Sequence, residues 1–388
     1  MKGRVQMLNV KVSSTNLQDP NAAAKEATAG MQGAKLAFLY SSVNYDQAEL
    51  IKCMKSEMPE AAVVGNTSFT GIVTPQGYIS GDYFAGVMTF DGDGFAVGVA
   101  GADRGDCPVG TGVKVAEEAM KNAGKTTAPD YFYMVASPGE EEFFLKGITN
   151  VIGRVPFFGG SAADNAIAGE WKLFADELVM ANGVAVAFIY TDKKFANVYT
   201  GAYAETDKAG IITKVADNRV LQEIDGIPAL EKYSQWSGIG TDQLKGMDLL
   251  VATICHPLGI KDRLGDLVAI RHPMNGNDDL SMNLGNNIAT NTAIIYMDGS
   301  VDGLVSTAAS TLEDLKSKLG DAAGYHLVHC GGRRAGIGDR IEETAELVKQ
   351  AAGDTPFIME FTFGEYGFEA DGNNTCGGLM LSYSAFGK

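Results

Sequence analysis

Val63-Val64-Gly65-Asn66-Thr67-Ser68 is an apolar run that ends in glycine and small polar residues, and a similar run, Phe157-Phe158-Gly159-Gly160-Ser161, follows about 95 to 100 positions later. A predicted strand (36–40 and 131–136) and a predicted helix precede each run. This recurrence predicts an internal duplication, although two unrelated α/β units with such low identity can also match by chance. In a duplication, a pseudo-dyad would relate the two glycine-containing loops.

A predicted hairpin follows each copy. Residues 83–90 and 95–100 form the first, turned at Asp91-Gly92-Asp93-Gly94, and residues 185–190 and 195–200 form the second. Frequent hairpins and alternating helices together favour an α/β (α+β) fold, with mixed or antiparallel sheets and helices layered on them.

The C-terminal part has the clearest pattern. A helix is predicted over 304–319, followed by strand 325–330, a glycine-rich loop at 331–338, helix 339–352 and strand 356–363.

The length of 388 residues is about two and a half times a typical domain, which predicts two domains. We place them at residues 1–205 and 206–388. No Pro/Ser-rich linker separates them, so we expect them to be closely packed.

The net charge of −17 makes nucleic acid and anionic membranes poor partners. The N-terminus has no apolar signal segment, and no stretch has the roughly 18 apolar residues of a membrane helix. The five cysteines are odd in number and form no CxxC pair, which favours reduced thiols in the cytoplasm. We therefore expect a cytoplasmic protein.

One candidate anion site is the glycine-rich segment that contains Arg333 and Arg334. Backbone N–H groups before a helix, together with two guanidinium groups, suit a carboxylate or phosphate. The spacing matches neither a P-loop nor a dinucleotide fingerprint. The alternative is a structural turn whose arginines lie in solvent.

Further candidates combine small polar or acidic side chains with glycines, which let a ligand approach closely. Glu365, flanked by glycines, could bind an ammonium group, and the two glycine-containing runs could seal a pocket. Ordinary turns remain the alternative for each of them. We predict ligand contacts at Asn66, Thr67, Ser68, Gly159, Gly160, Ser161, Asp164, Cys330, Arg333, Arg334, Glu365, Asn374 and Thr375.

The four histidines show no metal-specific spacing, and no nucleophile–base motif stands out. We therefore expect no metal, no catalytic residue and no cofactor. The alternatives left open are a haem, which needs only one axial imidazole such as His256, and a hydrolase-type enzyme.

The sequence resembles the FIST family, with an N-terminal and a C-terminal FIST domain. The resemblance covers nearly the whole chain from about residue 20. The residues that carry it are 64–68, 157–164, 215–230, 256–260, Cys330, Gly332-Arg333, Gly364-Glu365 and Asn374-Thr375.

The resemblance implies a sensory, ligand-binding module of prokaryotic signalling, with amino acids proposed as ligands. It also implies relatives attached to F-box proteins and a haem-binding subgroup that senses nitric oxide. Both FIST halves would use the whole chain. We therefore expect a bacterial sensor that acts in trans on a separate protein such as a kinase or cyclase.

Overall fold

The computed structural model describes residues 7–201, 203–261, 267–368 and 374–388. Its strands, in chain order, are β1 (Asn9–Thr15), β2 (Leu36–Ser41), β3 (Ala62–Thr67), β4 (Ile72–Thr74), β5 (Gly77–Ile79), β6 (Ala85–Asp91), β7 (Phe95–Asp103), β8 (Tyr131–Ala136), β9 (Phe157–Ser161), β10 (Leu173–Ala175), β11 (Leu178–Met180), β12 (Gly183–Thr191), β13 (Phe195–Thr200), β14 (Ala204–Ala216), β15 (Val220–Ile224), β16 (Ile227–Pro228), β17 (Leu258–Lys261), β18 (Val268–Arg271), β19 (Pro273–Gly276), β20 (Met282–Leu284), β21 (Ala293–Asp298), β22 (Ala322–Cys330), β23 (Phe357–Thr362), β24 (Glu365–Gly367), β25 (Thr375–Gly377) and β26 (Leu381–Gly387). The helices are α1 (Pro20–Ala27), α2 (Gln47–Glu57), α3 (Pro108–Asn122), α4 (Glu141–Ile152), α5 (Ala229–Ser237), α6 (Thr241–Leu244), α7 (Val301–Leu319), α8 (Gly331–Ile337) and α9 (Ile341–Ala352), with a 3-10 helix at Gly338–Arg340.

Three six-stranded sheets repeat one strand order. They run β1-β6-β2-β3-β10-β11, β7-β12-β8-β9-β24-β25 and β13-β26-β22-β23-β4-β5. In each sheet the central pair is parallel, and the other pairs are antiparallel. The expected α/β class with mixed sheets is therefore confirmed. The repeat of the first half has a third copy, so three units replace the expected pair related by a dyad. The first unit contains β1–β6, the second contains β7–β12, and the third contains β13 and β22–β26.

The three units exchange hairpins in a cycle. The hairpin of the first unit, β4-β5, pairs with β23 of the third. The hairpin β10-β11 of the second unit pairs with β3 of the first, and β24-β25 of the third pairs with β9 of the second. Each sheet is therefore completed by strands from another unit.

Backbone hydrogen bonds at the strand ends follow the same cycle. The N–H of Phe69 donates to the carbonyl of Phe361 at 2.9 Å. At the corresponding positions, Ala163 donates to Thr67 at 3.0 Å, and Phe363 donates to Ser161 at 3.0 Å. The carboxyl ends of the three parallel pairs are thereby joined to one another.

The third unit contains a large insertion between β13 and α7. Strands β14–β21 build an eight-stranded sheet there, covered by α5 and α6. We call this part the insert and the three units together the core. The boundary placed between residues 205 and 206 stays a prediction, and pairing of β13 with β26 crosses it.

Neither predicted hairpin forms. Strand β6 pairs with β1 on one edge and β2 on the other, so no edge is left for β7. In the same way β12 pairs with β7 and β8, which leaves β13 to join another sheet. The turns predicted from sequence are therefore crossings between sheets.

The glycine-rich segment 331–338 was wrongly predicted to be a loop. It forms α8, whose first turn is capped by the Cys330 thiol accepting from the Gly332 N–H at 3.3 Å. Tertiary contacts override the low helix propensity of glycine here.

Gly65 and Gly159 lie inside strands at matching positions of two units, not in loops. Their φ angles are +153° and +132°. A Cβ atom would come within 1.9 Å of the carbonyl oxygen of Leu39 or Met134 on the parallel neighbour. Only glycine permits this approach of the strands.

We expect Gly159→Ala to lower the free energy of unfolding by about 3 kcal/mol or more, because the neighbouring strand has to move. Urea unfolding measures the loss. Gly240→Ala is the control, since Gly240 has φ −61° and its Cβ would meet no atom closer than 3.6 Å. Equal stability of the two variants would contradict the close approach.

Candidate ligand-binding site

A cavity of about 520 Å³ has walls from both the core and the insert. The core contributes Phe69, Trp171 and Phe363, and the insert contributes Leu250 and Ile254. Its size and its mostly apolar walls are typical of small-molecule sites. We take it as the candidate ligand site.

Aromatic side chains form the core wall of this cavity. The ring centroids of Phe69 and Phe363 are 5.7 Å apart, and those of Trp171 and Phe363 are 6.1 Å apart. Phe69 and Phe363 hold corresponding positions in the cycle of strand ends. The wall is therefore a product of the three-unit arrangement.

Arg219 is the charged residue among those that the structure describes in the cavity lining, and its charge is already balanced. One guanidinium nitrogen lies 2.6 Å from Glu141 and 2.9 Å from Glu142. The remaining groups donate to Asn287 and to the Gly285 carbonyl. These ion pairs raise the pKa of Arg219 further despite its burial. Arg219 thus ties the insert to helix α4 of the core.

The other polar lining groups are His272, Cys330 and Asn286. His272 Nε2 donates to the Leu250 carbonyl at 2.8 Å, and burial lowers the pKa of His272 to about 4. Its imidazole is therefore neutral at pH 7. Burial and the neighbouring Glu365 raise the pKa of Cys330, which keeps the thiol protonated.

Asn286 differs from these groups because its amide has no hydrogen bond within the described part of the protein. The residue is only 2% exposed and lines the cavity. No described residue forms a hydrogen bond with its side chain. Its amide is open to the cavity, so a ligand there would supply hydrogen-bond partners in place of solvent.

Asp164 organises one edge of the cavity and does not line it. Its buried carboxylate accepts backbone hydrogen bonds from Ala166, Ala168, Gly169 and Glu170 at 2.9–3.0 Å. The loop held in this way places residues 167–169 and Trp171 on the cavity wall.

Arg333 and Arg334 do not line the cavity. Arg333 is fully buried and donates to the carbonyls of Gly201 and Leu304 and to the Thr307 hydroxyl. Arg334 donates to Gly338 and to the Tyr78 hydroxyl. Both guanidinium groups bind the chain itself.

Glu365, like the two arginines, forms its hydrogen bonds with other groups of the core and does not line the cavity. It accepts from the Thr362 hydroxyl at 2.9 Å and from the Met380 N–H at 2.8 Å. Burial raises its pKa to about 8. Cys330, whose thiol accepts from Leu379 N–H at 3.2 Å, is the predicted contact that does line the cavity.

The predicted contacts on β3 and β9 connect the units. The Thr67 hydroxyl donates to the Ala163 carbonyl at 2.6 Å, and the Ser68 hydroxyl accepts from Phe361 N–H at 2.9 Å. The Ser161 hydroxyl is hydrogen-bonded to the Tyr366 hydroxyl of the third unit at 2.8 Å, and it donates to Glu141 of its own unit at 3.0 Å. Gly160 and Gly159 lie on the same buried strand as Ser161.

Asn374 and Thr375 line a second, more open groove of about 510 Å³ that also contains Arg271. His256 lines neither space. Its Nδ1 lies 3.3 Å from Asp298, and its ring stacks on Tyr296. The role of His256 as an axial haem ligand and haem binding itself both stay untested predictions.

Where the three units meet, the core encloses a polar cluster, which we call the central cluster. It consists of Tyr40, Asn66, Tyr133, His326 and Glu360, all with no exposed surface. Tyr133 donates to Asn66, which donates to Glu360 at 2.8 Å, and Tyr40 bonds to His326. Burial raises the pKa of Glu360 to about 8 and lowers that of His326 to about 3, so both are neutral at pH 7.

Sequence analysis missed the main cavity groups. Neither Arg219 nor Asn286 was predicted as a contact, and Arg219 lay only inside the stretch 215–230 that carries the family resemblance. Their spacing in sequence carries no signal, since loops distant in the chain bring them to one cavity. The central cluster, except Asn66, was missed for the same reason.

No helix within the described ranges is long and apolar enough to cross a membrane. The same residues include no group of three or more His, Cys, Asp or Glu that could hold a metal ion.

Residues 35–227 match the FIST N domain, and residues 229–367 match the FIST C domain. The chain belongs to the FIST family. The resemblance seen in the sequence is thereby confirmed. FIST domains are small-ligand sensory domains in signal transduction.

Comparison with solved structures gives low similarity. Cyanuric acid hydrolase from A. caulinodans is 11% identical with a TM-score of 0.39, over 98% of this chain and 100% of that chain. Phosphoribosylformylglycinamidine synthase II from Thermotoga maritima is 9% identical with a TM-score of 0.23, over 98% and 72%. At this level of similarity, neither structure indicates a function for this FIST protein. Curated protein sequences gave no significant match.

We expect the stability of this FIST protein to fall as pH rises from about 6.5 to 8. Glu360 stays protonated in the folded state up to a pKa of about 8, whereas in the unfolded chain it ionises near 4.5. Its contribution is therefore complete at low pH and lost as pH rises through the folded pKa. Glu360→Gln should reduce the slope by about 1 kcal/mol per pH unit.

Urea unfolding at several pH values measures this slope. Glu365, whose pKa is also raised to about 8, keeps part of it in the Glu360→Gln variant. Exposed Glu117→Gln is the matched control and should leave the slope unchanged. An unchanged slope in Glu360→Gln would show that the carboxyl is ionised in the folded protein.

We expect Asp164→Ala to destabilise the protein by about 2–4 kcal/mol, because four backbone N–H groups lose their acceptor. Limited proteolysis should then cleave near residues 165–170. Asp192→Ala, at a side chain that is 83% exposed, is the control. Wild-type resistance to proteolysis in Asp164→Ala would contradict the organising role.

Proposed function

We propose that this FIST protein senses a small molecule that binds in the cavity between core and insert. The observation that carries the proposal is the shared lining: a ligand there would contact Phe363 and Trp171 of the core and Ile254 and Asn286 of the insert. Occupancy would change the free energy with which the two parts hold together.

Arg219 supports this proposal because it lines the cavity and joins the parts. Its ion pairs to Glu141 and Glu142 link the insert to α4. A ligand shifts a protein between two arrangements only as far as its affinities for them differ. A ligand that contacts both walls meets this condition, since any movement of the insert changes its contacts.

The signal would reach a separate protein in trans, such as a kinase or cyclase, in a bacterial cytoplasm. Family membership supports signalling, and the charge of −17 supports a protein partner over nucleic acid. The expected ligand was an amino acid or similar metabolite. Arg333, Arg334 and Glu365 bind the chain itself, which favours another small metabolite.

A metabolite screen by thermal shift tests the proposal. A ligand at a hundredfold excess over its Kd should stabilise the protein by about 2.7 kcal/mol. Ala335→Trp should abolish this shift, because Ala335 lies on an exposed part of the cavity wall where an indole would fill the space.

Ala29→Trp, at an exposed position outside the cavity lining, is the matched control and should keep the shift. A hit that stabilises Ala335→Trp as much as wild type would place the ligand elsewhere. A Soret band that survives desalting after haem addition would support the haem alternative.

A further inference from the structure

We propose that the cavity takes a neutral, flat, aromatic or heteroaromatic ligand with an amide-like edge, which Asn286 recognises. This inference rests on the proposed function and adds the chemical class of the ligand. It is carried by the shape of the walls, the balance of charge and the amide of Asn286, which has no hydrogen bond to a described residue.

The walls favour a flat apolar body. Phe69, Trp171 and Phe363 present rings on the core side, with Ile254 and Leu284 on the insert side. Aromatic rings prefer offset-stacked or edge-on neighbours at centroid distances of about 4.5–7 Å. A planar ring can make such contacts with this wall and meet aliphatic side chains on its other face.

The rim of the cavity has the same character. Ile167 is 51% exposed and Val251 is 74% exposed, and both belong to the lining. Exposed apolar side chains that lie together at a cavity often mark a ligand-binding groove, whereas single ones do not. A largely apolar ligand would cover them on entry.

The charge balance disfavours a charged ligand. Among the described lining residues Arg219 alone is ionised at pH 7, and two carboxylates already neutralise it. An anionic ligand would compete with Glu141 and Glu142, and an ammonium group would find no free carboxylate among those described lining residues. Leaving a charge unpaired in such an environment is strongly unfavourable.

Asn286 supplies the complementary polar edge. Its amide offers one carbonyl acceptor and two N–H donors, and described residues satisfy neither kind. A primary amide or a lactam presents a donor and an acceptor side by side, so it can form two hydrogen bonds with this group. A carboxylate lacks the donor.

Three probes of similar size separate charge from shape: benzamide is neutral, benzoate is anionic and phenylalanine is zwitterionic. We expect isothermal titration of the full chain to give a Kd for benzamide at least tenfold lower than for the other two. Asn286→Ala should raise the benzamide Kd about tenfold. Asn150→Ala, at an exposed helix position outside the lining, should leave it unchanged.

The outcomes keep the two proposals apart. Tighter binding of benzoate or phenylalanine, or no binding of benzamide, overturns the neutral class, while a metabolite shift lost in Ala335→Trp still supports the sensor. Equal benzamide affinity in Asn286→Ala and wild type overturns the role of Asn286. Unchanged binding of every ligand to Ala335→Trp removes the cavity and the proposed function together.

Discussion

In each unit of the core, a backbone N–H group just after a central strand donates its hydrogen bond to a carbonyl group of another unit. Ala163 donates to Thr67, and the two corresponding residues repeat this bond around the cycle. Buried backbone groups need partners, so no unit can close its own sheet. The exchanged hairpins, the shared central cluster and the aromatic wall of the cavity all follow from this constraint.

The cavity lies where this core meets the insert. Polar side chains near it form hydrogen bonds with other groups of the protein. Arg333 and Glu365 were conspicuous as ligand contacts, yet both satisfy main-chain groups and hydroxyls inside the protein. Burial makes unpaired polar groups costly, so the fold pairs them internally. Asn286 lines the apolar cavity, and its amide forms no hydrogen bond with a described residue.

Local structure followed the sequence closely where apolar periodicity was strong. The predicted helix over 304–319 corresponds to Val301–Leu319, and the predicted strand over 131–136 is Tyr131–Ala136. The repeat was recognised, but its third copy was not, because the insert interrupts it. Both hairpin predictions were wrong. A turn signal shows that the chain reverses its direction, but it does not show whether the two flanking strands have free edges with which to pair.

The sequence by itself determined the family, the mixed α/β class and most elements, since these depend on patterns within short stretches. The structure was needed to show that Gly65 and Gly159 lie inside strands and permit their close approach, because the sequence pattern indicated loops there. Only the tertiary structure decided which strands pair and which polar groups remain available. Arg219, Asn286 and Phe363 are far apart in the chain and meet at one cavity. Their roles depend on neighbours that no local pattern specifies.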